Sequence, residues 1–499
     1  MSARNIEVAW DRACDGLGLP HGDRLSIEEA SVLLKYLVAE GAANPGSAPR
    51  DCATQRARGA LRQTINDGLD AAAGALDASV RSHVETALRE GSTYCERILD
   101  LAVSDLVSEP MAPEVCISID PWDELPPDGT CWAHGIVFHA SALVTHEIYP
   151  LAADACMHDA RNSGKPYFRV LGVHGDWIDD GCARRVLLFD ASHDRFLEAP
   201  LSQPVHLDSV QFLELGERQT ERHRCWSSTL HCHLLNPWSA SAAADDKDGL
   251  RCRWQKAGLK IPAGLLLAVG ERSRAHSFLA SSREIVVKPN TGTEGDRVLY
   301  LQSDDPDATD RLDMQLTACW EWGTVLVERR CDGIGWRDPD TGRIHSLALR
   351  LHVAYDGTRC VAESGYAQLG VDQSHPATRG AGGMLLPIAT VLTSLVQRAD
   401  DSAVPFDTED LSRVRELAEA AASAHDVIAL VGIDIVLNTD ASGSVTPVLL
   451  ELNPRPAGLA HARFLPGAGE GRGEAGVSLT MWDGIARYRE PTHSSPVGV

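Results

Sequence analysis

Apolar positions recur at helical spacing through the first hundred or so residues, then break into short strand-like runs. Leu25–Gly41 (LSIEEASVLLKYLVAEG) puts its apolar side chains on one face and opens on Ser26, with Glu28 and Glu29 in the first turn, which predicts a helix. Asn44–Asp51 is a Gly/Pro/Ser break, and Ala57–Leu106 then resumes the helical period for about 50 residues, enough for two or three helices. Residues 1–109 therefore read as a helical region. Past Pro110–Pro113, β-rich runs occur at Val115–Ile119, Gly135–Phe138, Phe168–Val173, Val186–Phe189 and Val210–Leu215. A helical stretch at Thr145–Asn162 separates some of them, so residues 110–244 read as an α/β domain.

The pattern sharpens from Asp245. A helix over Asp246–Ala257 stops at Gly258, and strands follow at Ala263–Val269, Glu284–Lys288 and Val298–Gln302. A helix at Asp307–Trp320 and a strand at Gly323–Glu328 close this block, residues 245–325. A second block, residues 326–480, holds strands at Ile344–Tyr355 and Thr358–Gln368, a helix at Glu409–His425, and a hairpin of Leu430–Leu437 with Pro447–Leu452. Beyond Pro466 the chain is Gly-rich and then short and polar, and residues 481–499 read as a tail. No internal repeat is visible.

At 499 residues the chain is long enough for two to four domains. A net charge of -24 argues against a polyanionic partner, because nucleic-acid binding needs clustered Lys and Arg, and no such stripe is present. The 13 cysteines run from Cys14 to Cys360 without a tight repeat. With no leader-like stretch at Met1–Gly16 they read as reduced thiols of a cytoplasmic protein. The longest apolar run, Ile261–Val269, is too short to span a membrane and reads as a buried strand. The His/Cys patch of His223, Cys225, His231, Cys232 and His233 fits no common zinc spacing and reads as ordinary core and surface. The acidic, Pro-rich Asp120–Asp128 reads as a solvated loop.

Two segments carry chemistry. In Ile285–Val298 (IVVKPNTGTEGDRV) an apolar strand ends in Lys288, and a loop with Gly292 and Gly295 returns to another strand. Such a loop lets backbone N–H groups approach phosphates while the lysine supplies a point charge; an ordinary turn is the bland alternative. No GKS or GKT follows, and the next element is a strand, so this is not a Walker loop. In Leu430–Pro456, strand LVGIDIVLN precedes strand VLLELNPRPAG, and Glu451 and Asn453, two apart, share a face. Asp434, Glu451 and Asn453 make an oxygen-rich set suited to Mg²⁺, since carboxylates inside apolar strands are costly unless coordinated or hydrogen-bonded; strand-end carboxylates solvated or paired with arginine are the bland alternative.

Taken together, VVKPN-x-G-x-x-G, GIDIVLN and ELNPRPAG resemble the ATP-grasp superfamily over about residues 245–465, in its carboxylate–amine (amino acid and peptide) ligase branch. The resemblance implies an α/β fold with an α+β lid, a preceding α/β domain, and an N-terminal helical region that is not a standard part. It implies an ATP site in which Lys247, about 40 residues before Lys288 in DDKDGLRCRWQKAGLKIP, and Lys288 hold phosphates. The lid loop Thr291, Gly292, Thr293, Glu294 and Gly295 would close over the γ-phosphate, with Glu328, Arg329 and Cys331 holding the nucleoside. Asp434, Glu451 and Asn453 would bind two Mg²⁺ ions, with Mn²⁺ able to substitute, and Arg350 and Arg455 would stabilise developing charge. Ala377–Leu385 looks like a substrate loop, with Arg379 and Gly382 placed for a carboxylate, although a Gly-rich surface loop is an equal reading.

The implied reaction activates a small-molecule carboxylate as an acyl phosphate and joins it to an amine, with amino acids or peptides as partners, no nucleic acid and no membrane. A homodimer accords with the family. A phosphoryl transferase and a nucleotide-binding protein without turnover stay open as alternatives.

Overall fold

A computed structural model describes residues 114–117, 122, 131–138, 144–162, 168–190, 195–213, 220–292, 297–378, 382–426, 428–440, 442–456, 458–465 and 476–489. The helices expected in residues 1–109 lie outside the described residues, as does Asp120–Asp128 apart from Trp122.

Eight strands build a mixed sheet: β1 (Glu114–Ile117), β2 (Trp132–Phe138), β3 (Phe168–His174), β4 (Ile178–Asp179), β5 (Cys182–Asp190), β6 (Arg195–His206), β7 (Ser209–Phe212) and β8 (His233–Leu234). Their order is β1-β6-β5-β3-β2-β7-β8, with β4 beside β5. Helix α1 (Val144–Asn162) packs on this sheet through Ile148, Leu151, Ala152 and Ala155, which are buried against Leu171 and Leu187. Strand β6 is absent from the sequence reading. Its Pro200 and Pro204 look like breaks, yet it pairs with β1 over Arg195–Glu198 and exposes much of its second half, where proline is tolerated. Helix α2 (Thr220–Thr229) and helix α3 (Trp238–Asp245) lead out of the sheet.

Helix α4 (Lys247–Lys256) follows, capped by Asp246, whose side chain accepts from Gly249 N at 3.2 Å. A four-stranded antiparallel sheet comes next, β9 (Gly264–Leu267), β10 (Glu284–Pro289), β11 (Leu299–Gln302) and β12 (Val325–Arg329), in the order β11-β10-β12-β9. Helices α5 (Arg272–Ala280) and α6 (Ala308–Trp320) cover its one face, burying Leu279, Leu312 and Leu316 against Ile285, Val287, Val325 and Val327. The expected buried strand over Ile261–Val269 is corrected. Only Gly264–Leu267 is strand, it lies at the sheet edge, and Val269 is 70% exposed because it falls past the strand end, in the turn that Gly270 makes at φ +91°.

The third sheet has seven strands, β13 (Ile334–Arg337), β14 (Ile344–Tyr355), β15 (Cys360–Leu369), β16 (Met384–Leu386), β17 (Leu395–Gln397), β18 (Leu430–Thr439) and β19 (Val445–Asn453). The order is β16-β15-β14-β13-β17, with β18 against β14 and β19 against β18. Helix α7 (Ile388–Leu392) and helix α8 (Thr408–Ser423) belong to this unit, and α8 buries Val414, Ala418 and Ala421 beneath the sheet.

Helix α9 (Leu459–Phe464) and helix α10 (Leu479–Arg489) end the described chain. The tail reading is corrected at α10: Met481, Trp482 and Ile485 recur on one face and are buried, so LTMWDGIARYR is an amphipathic packing helix despite its polar neighbours. Trp482 meets His134 of β2 edge-on at 4.9 Å, while α10 also packs on β14 and β15, tying the first sheet to the third. Among the described residues no helix is long and apolar enough to cross a membrane.

Candidate active site

A cavity of about 620 Å³ opens between the four-stranded sheet and the third sheet. Its lining holds Lys247, Lys288, Thr291, Gly292, Glu328, Arg329, Cys331, Arg350, Asp434, Glu451, Asn453 and Arg455, which the sequence reading had set apart. Thr293, Glu294 and Gly295 lie outside the described residues, as does Arg379. From the Ala377–Leu385 segment the lining takes Ala377, Thr378 and Leu385, with Pro376 before it, and not Gly382, which turns the loop at φ +83°.

Register explains the convergence at its floor. On neighbouring antiparallel strands Tyr366 stands opposite Arg350, Arg350 opposite Asp434, and Asp434 opposite Glu451, so four polar side chains line up across β15, β14, β18 and β19. A bulge shifts the β18–β19 register just after Asp434, and Leu450 and Glu451, though adjacent in sequence, both face the cavity. Gly432 lies beside this row, where a Cβ would make ordinary contact with Arg350 Cδ at 3.5 Å.

Asp434 is buried. It takes Arg350 Nε at 2.7 Å and Arg350 Nη2 at 2.6 Å, with Asn453 Nδ2 at 3.4 Å. Burial raises the Asp434 carboxyl; Arg350 partly offsets this and Glu451 adds to it. Burial also acts to raise Glu451, but Lys247, Lys288 and Arg350 together outweigh it and hold Glu451 below the ordinary glutamate range. Tyr366 is pushed up to about 12, by burial first, so it stays a neutral phenol.

The lysines arrive from two directions. Lys247, first residue of α4, places Nζ 2.5 Å from the carbonyl oxygen of Gly292 and 3.8 Å from Glu451 Oε2. Asn290 fixes that helix start: its Oδ1 accepts from Asp248 N at 2.9 Å and its Nδ2 donates to Asp246 at 2.8 Å. Lys288 makes a buried ion pair with Glu328 at 2.6 Å. The sequence resemblance separates them, Lys288 for phosphate and Glu328 for the nucleoside, and the structure joins them. Cys331 is pushed up to about 11 by burial and by Glu328 and Asp332, so its thiol is protonated and serves as lining.

Three positioning contacts escape the sequence reading. Arg455 Nη2 donates to Asp245 Oδ2 at 2.8 Å. Buried Asn236 accepts from Phe212 N at 2.8 Å and donates to Pro454 O at 3.0 Å, tying the first sheet to the Asn453–Pro456 turn. Glu147, in the first turn of α1, accepts from Gly458 N at 2.8 Å and Leu459 N at 2.7 Å, and it lines the cavity. A first-turn acid reads as a partner for its own helix, and nothing local marks its bond to a turn over 300 residues away.

The His/Cys patch is divided. His223 is buried, with Nε2 3.0 Å from Asn236 O, and burial with Arg455 lowers it to about 4. His231, Cys232 and His233 instead line a separate open cavity of about 530 Å³ with Asp208 and Tyr488.

No protein-family model matches the chain, and no curated protein matches it. Among solved structures it is similar to the VanG D-Ala:D-Ser ligase from Enterococcus faecalis, at 14% identity and TM-score 0.45, over 72% of this chain and 99% of that one. It is similar to the D-cycloserine synthetase DcsG at 17% identity and TM-score 0.41, over 71% and 99%. It is also similar to the ATP-grasp ligase PsnB complexed with a minimal precursor, at 17% identity and TM-score 0.40, over 71% and 98%.

Proposed function

We propose that this chain is an ATP-dependent carboxylate–amine ligase of the ATP-grasp type. The observation that carries the proposal is the convergence of Lys247, Lys288 and Arg350 on the Asp434–Glu451 pair inside one cavity between a small sheet and a larger one. Three cations around paired carboxylates suit a polyphosphate that arrives with a metal, and the apolar lining of Val286, Leu347, Val436 and Leu450 suits a flat base.

The donor set fits Mg²⁺. Asp434 and Glu451 stand opposite one another, and Asn453 lies two residues on from Glu451, so two carboxylates and an amide oxygen share a face. Arg350 uses one lone pair on each Asp434 oxygen, and only the long contacts from Asn453 Nδ2 at 3.4 Å and Gln368 Nε2 at 3.5 Å compete with a metal for the others. Asp434, Glu451 and Asn453 would hold two Mg²⁺ ions, or Mn²⁺ in their place. Held by these residues, the metal would supply charge neutralisation for the transferring phosphoryl group.

Lys247 and Lys288 hold the nucleotide's phosphates, and Thr291–Gly292 with the rest of that loop cover the γ-phosphate. The substrate carboxylate attacks the γ-phosphorus in line, and the bond from that phosphorus to the bridging oxygen breaks, giving an acyl phosphate and ADP. This step needs alignment and charge balance more than a base. An amine then attacks the acyl carbon, the C–O bond to phosphate breaks, and the amine's surplus proton passes to water. Arg350 and Arg455 face the charge that grows on the acyl oxygen. The substrates would be amino acids or short peptides, held near Arg455, Thr378 and the loop that carries Arg379.

The test incubates the protein with ATP, Mg²⁺ and pooled amino acids and small amines, and reads ADP together with product masses. Substrate-dependent ADP with a product mass equal to two substrates less water is the expected result. ADP with a phosphate added to one substrate would make the chain a phosphoryl transferase and overturn the ligase reading.

A further inference from the structure

The three cations of the site are not equivalent. Lys288 is balanced by Glu328 at 2.6 Å and Arg350 by Asp434 at 2.6 Å, whereas the carboxylate beside Lys247 is Glu451 at 3.8 Å. The Lys247 ammonium also donates to the carbonyl oxygen of Gly292 in the loop that leaves β10. One side chain therefore spans the loop and a carboxylate of the proposed metal set. Both side chains are largely shielded, Lys247 at 12% exposure and Glu451 at 27%, so their attraction is weakly screened.

We propose that Lys247 is a built-in counter-ion that keeps free divalent cations off Glu451 until nucleotide phosphate draws its ammonium away, making metal binding conditional on nucleotide. A bare cation approaching this pair meets a carboxylate already neutralised and an ammonium of like charge a few ångströms off. A polyphosphate reverses both terms. It competes for the ammonium as a stronger anion, frees Glu451, and brings its own oxygens to complete the metal's shell. The same exchange releases the Gly292 carbonyl from the ammonium. The protein thereby avoids a metal-loaded, nucleotide-free state.

This inference rests on the metal-and-nucleotide reading above, and electron paramagnetic resonance of Mn²⁺ with the full-length protein separates the two. Wild type should leave the free Mn²⁺ signal undiminished without nucleotide, and with a saturating non-hydrolysable ATP analogue should change the Mn²⁺ spectrum beyond what the analogue alone produces. Lys247→Met and Lys247→Gln, the second keeping a donor for Gly292 without the charge, should bind Mn²⁺ without nucleotide at least about tenfold more tightly than wild type. Adding Glu451→Gln to either variant should abolish that binding. Wild type binding Mn²⁺ as tightly alone as with the analogue would overturn the proposal, and so would folded Lys247 variants no tighter than wild type. No Mn²⁺ bound by wild type even with the analogue would overturn the metal reading itself, and this inference with it.

Discussion

Arg350 and Asp434 stand opposite each other on adjacent strands and close a two-point ion pair, Nε to Oδ1 at 2.7 Å and Nη2 to Oδ2 at 2.6 Å. The pair orients a carboxylate assigned to metal and leaves the guanidinium edge toward Glu451, 4.0 Å away. Removing one partner strands the other in a buried site. Arg350→Ala should lower stability by about 3–5 kcal/mol and abolish turnover. Arg350→Lys keeps the charge but not the fork, so it should regain part of the stability and little of the activity. Denaturant unfolding beside ADP release measures both, and an Arg350→Ala protein of wild-type stability would contradict the pairing.

Gly458 sits at φ +89° beside the Tyr366 hydroxyl, with no room for a Cβ. Gly458→Ala would force Tyr366 off its place next to Arg350 and would strain the backbone. Activity should fall by an order of magnitude or more while the thermal midpoint drops only modestly. A Tyr366→Phe control that behaves like wild type would assign the effect to displacement rather than to the lost hydroxyl.

Glu363 of β15 accepts from Thr480 N at 2.6 Å, at the start of α10, and its other oxygen is buried without a partner. Burial, with Asp154 adding, pushes its carboxyl from 4.5 up to about 7. Between those values the folded chain holds a proton that the unfolded chain releases. The stabilising contribution is therefore complete below the lower value and is lost as pH rises through the upper one. Glu363→Gln should remove that slope and raise stability at pH 8 by up to about 3 kcal/mol. Buried His134, lowered to about 3, acts in the opposite direction on acidification, so the difference between the two proteins is the quantity to plot.

Trp482 joins α10 to the first sheet through His134 and Phe168. Trp482→Ala should cost about 3–5 kcal/mol and loosen α10 from both sheets. Faster amide exchange over Leu479–Arg489 should accompany the loss. Unchanged protection there would mean that Asp154, which accepts from Val477 N at 2.7 Å and Ser478 N at 2.8 Å, suffices to hold the helix start.

Most of what the sequence made legible was local. The hairpin carrying Asp434, Glu451 and Asn453 is visible because apolar runs frame polar residues, and Glu284–Lys288 because an apolar run ends in a lysine. The bulge that turns Leu450 and Glu451 together into the cavity left no mark, since strand periodicity assumes regular pairing. Strand β6 was hidden by its prolines, and α10 by its position after a Gly-rich stretch. Glu147, Asn236 and Asp245 act through contacts across the fold, with partners more than 200 residues away, and no spacing rule reaches so far. The Lys288–Glu328 pair was half visible, with both residues singled out and their partnership unseen until β10 and β12 lay side by side.

The most direct test follows oxygen. Wild type is given ATP, Mg²⁺, pooled amino acids labelled with ¹⁸O in both carboxylate oxygens, and pooled amines, and the released inorganic phosphate is analysed by mass. Attack of a carboxylate on the γ-phosphorus followed by amide formation leaves one ¹⁸O in each phosphate released, and that is the expected result. Phosphate without label would mean that water, not a carboxylate, receives the phosphoryl group, and would contradict ligation through an acyl phosphate.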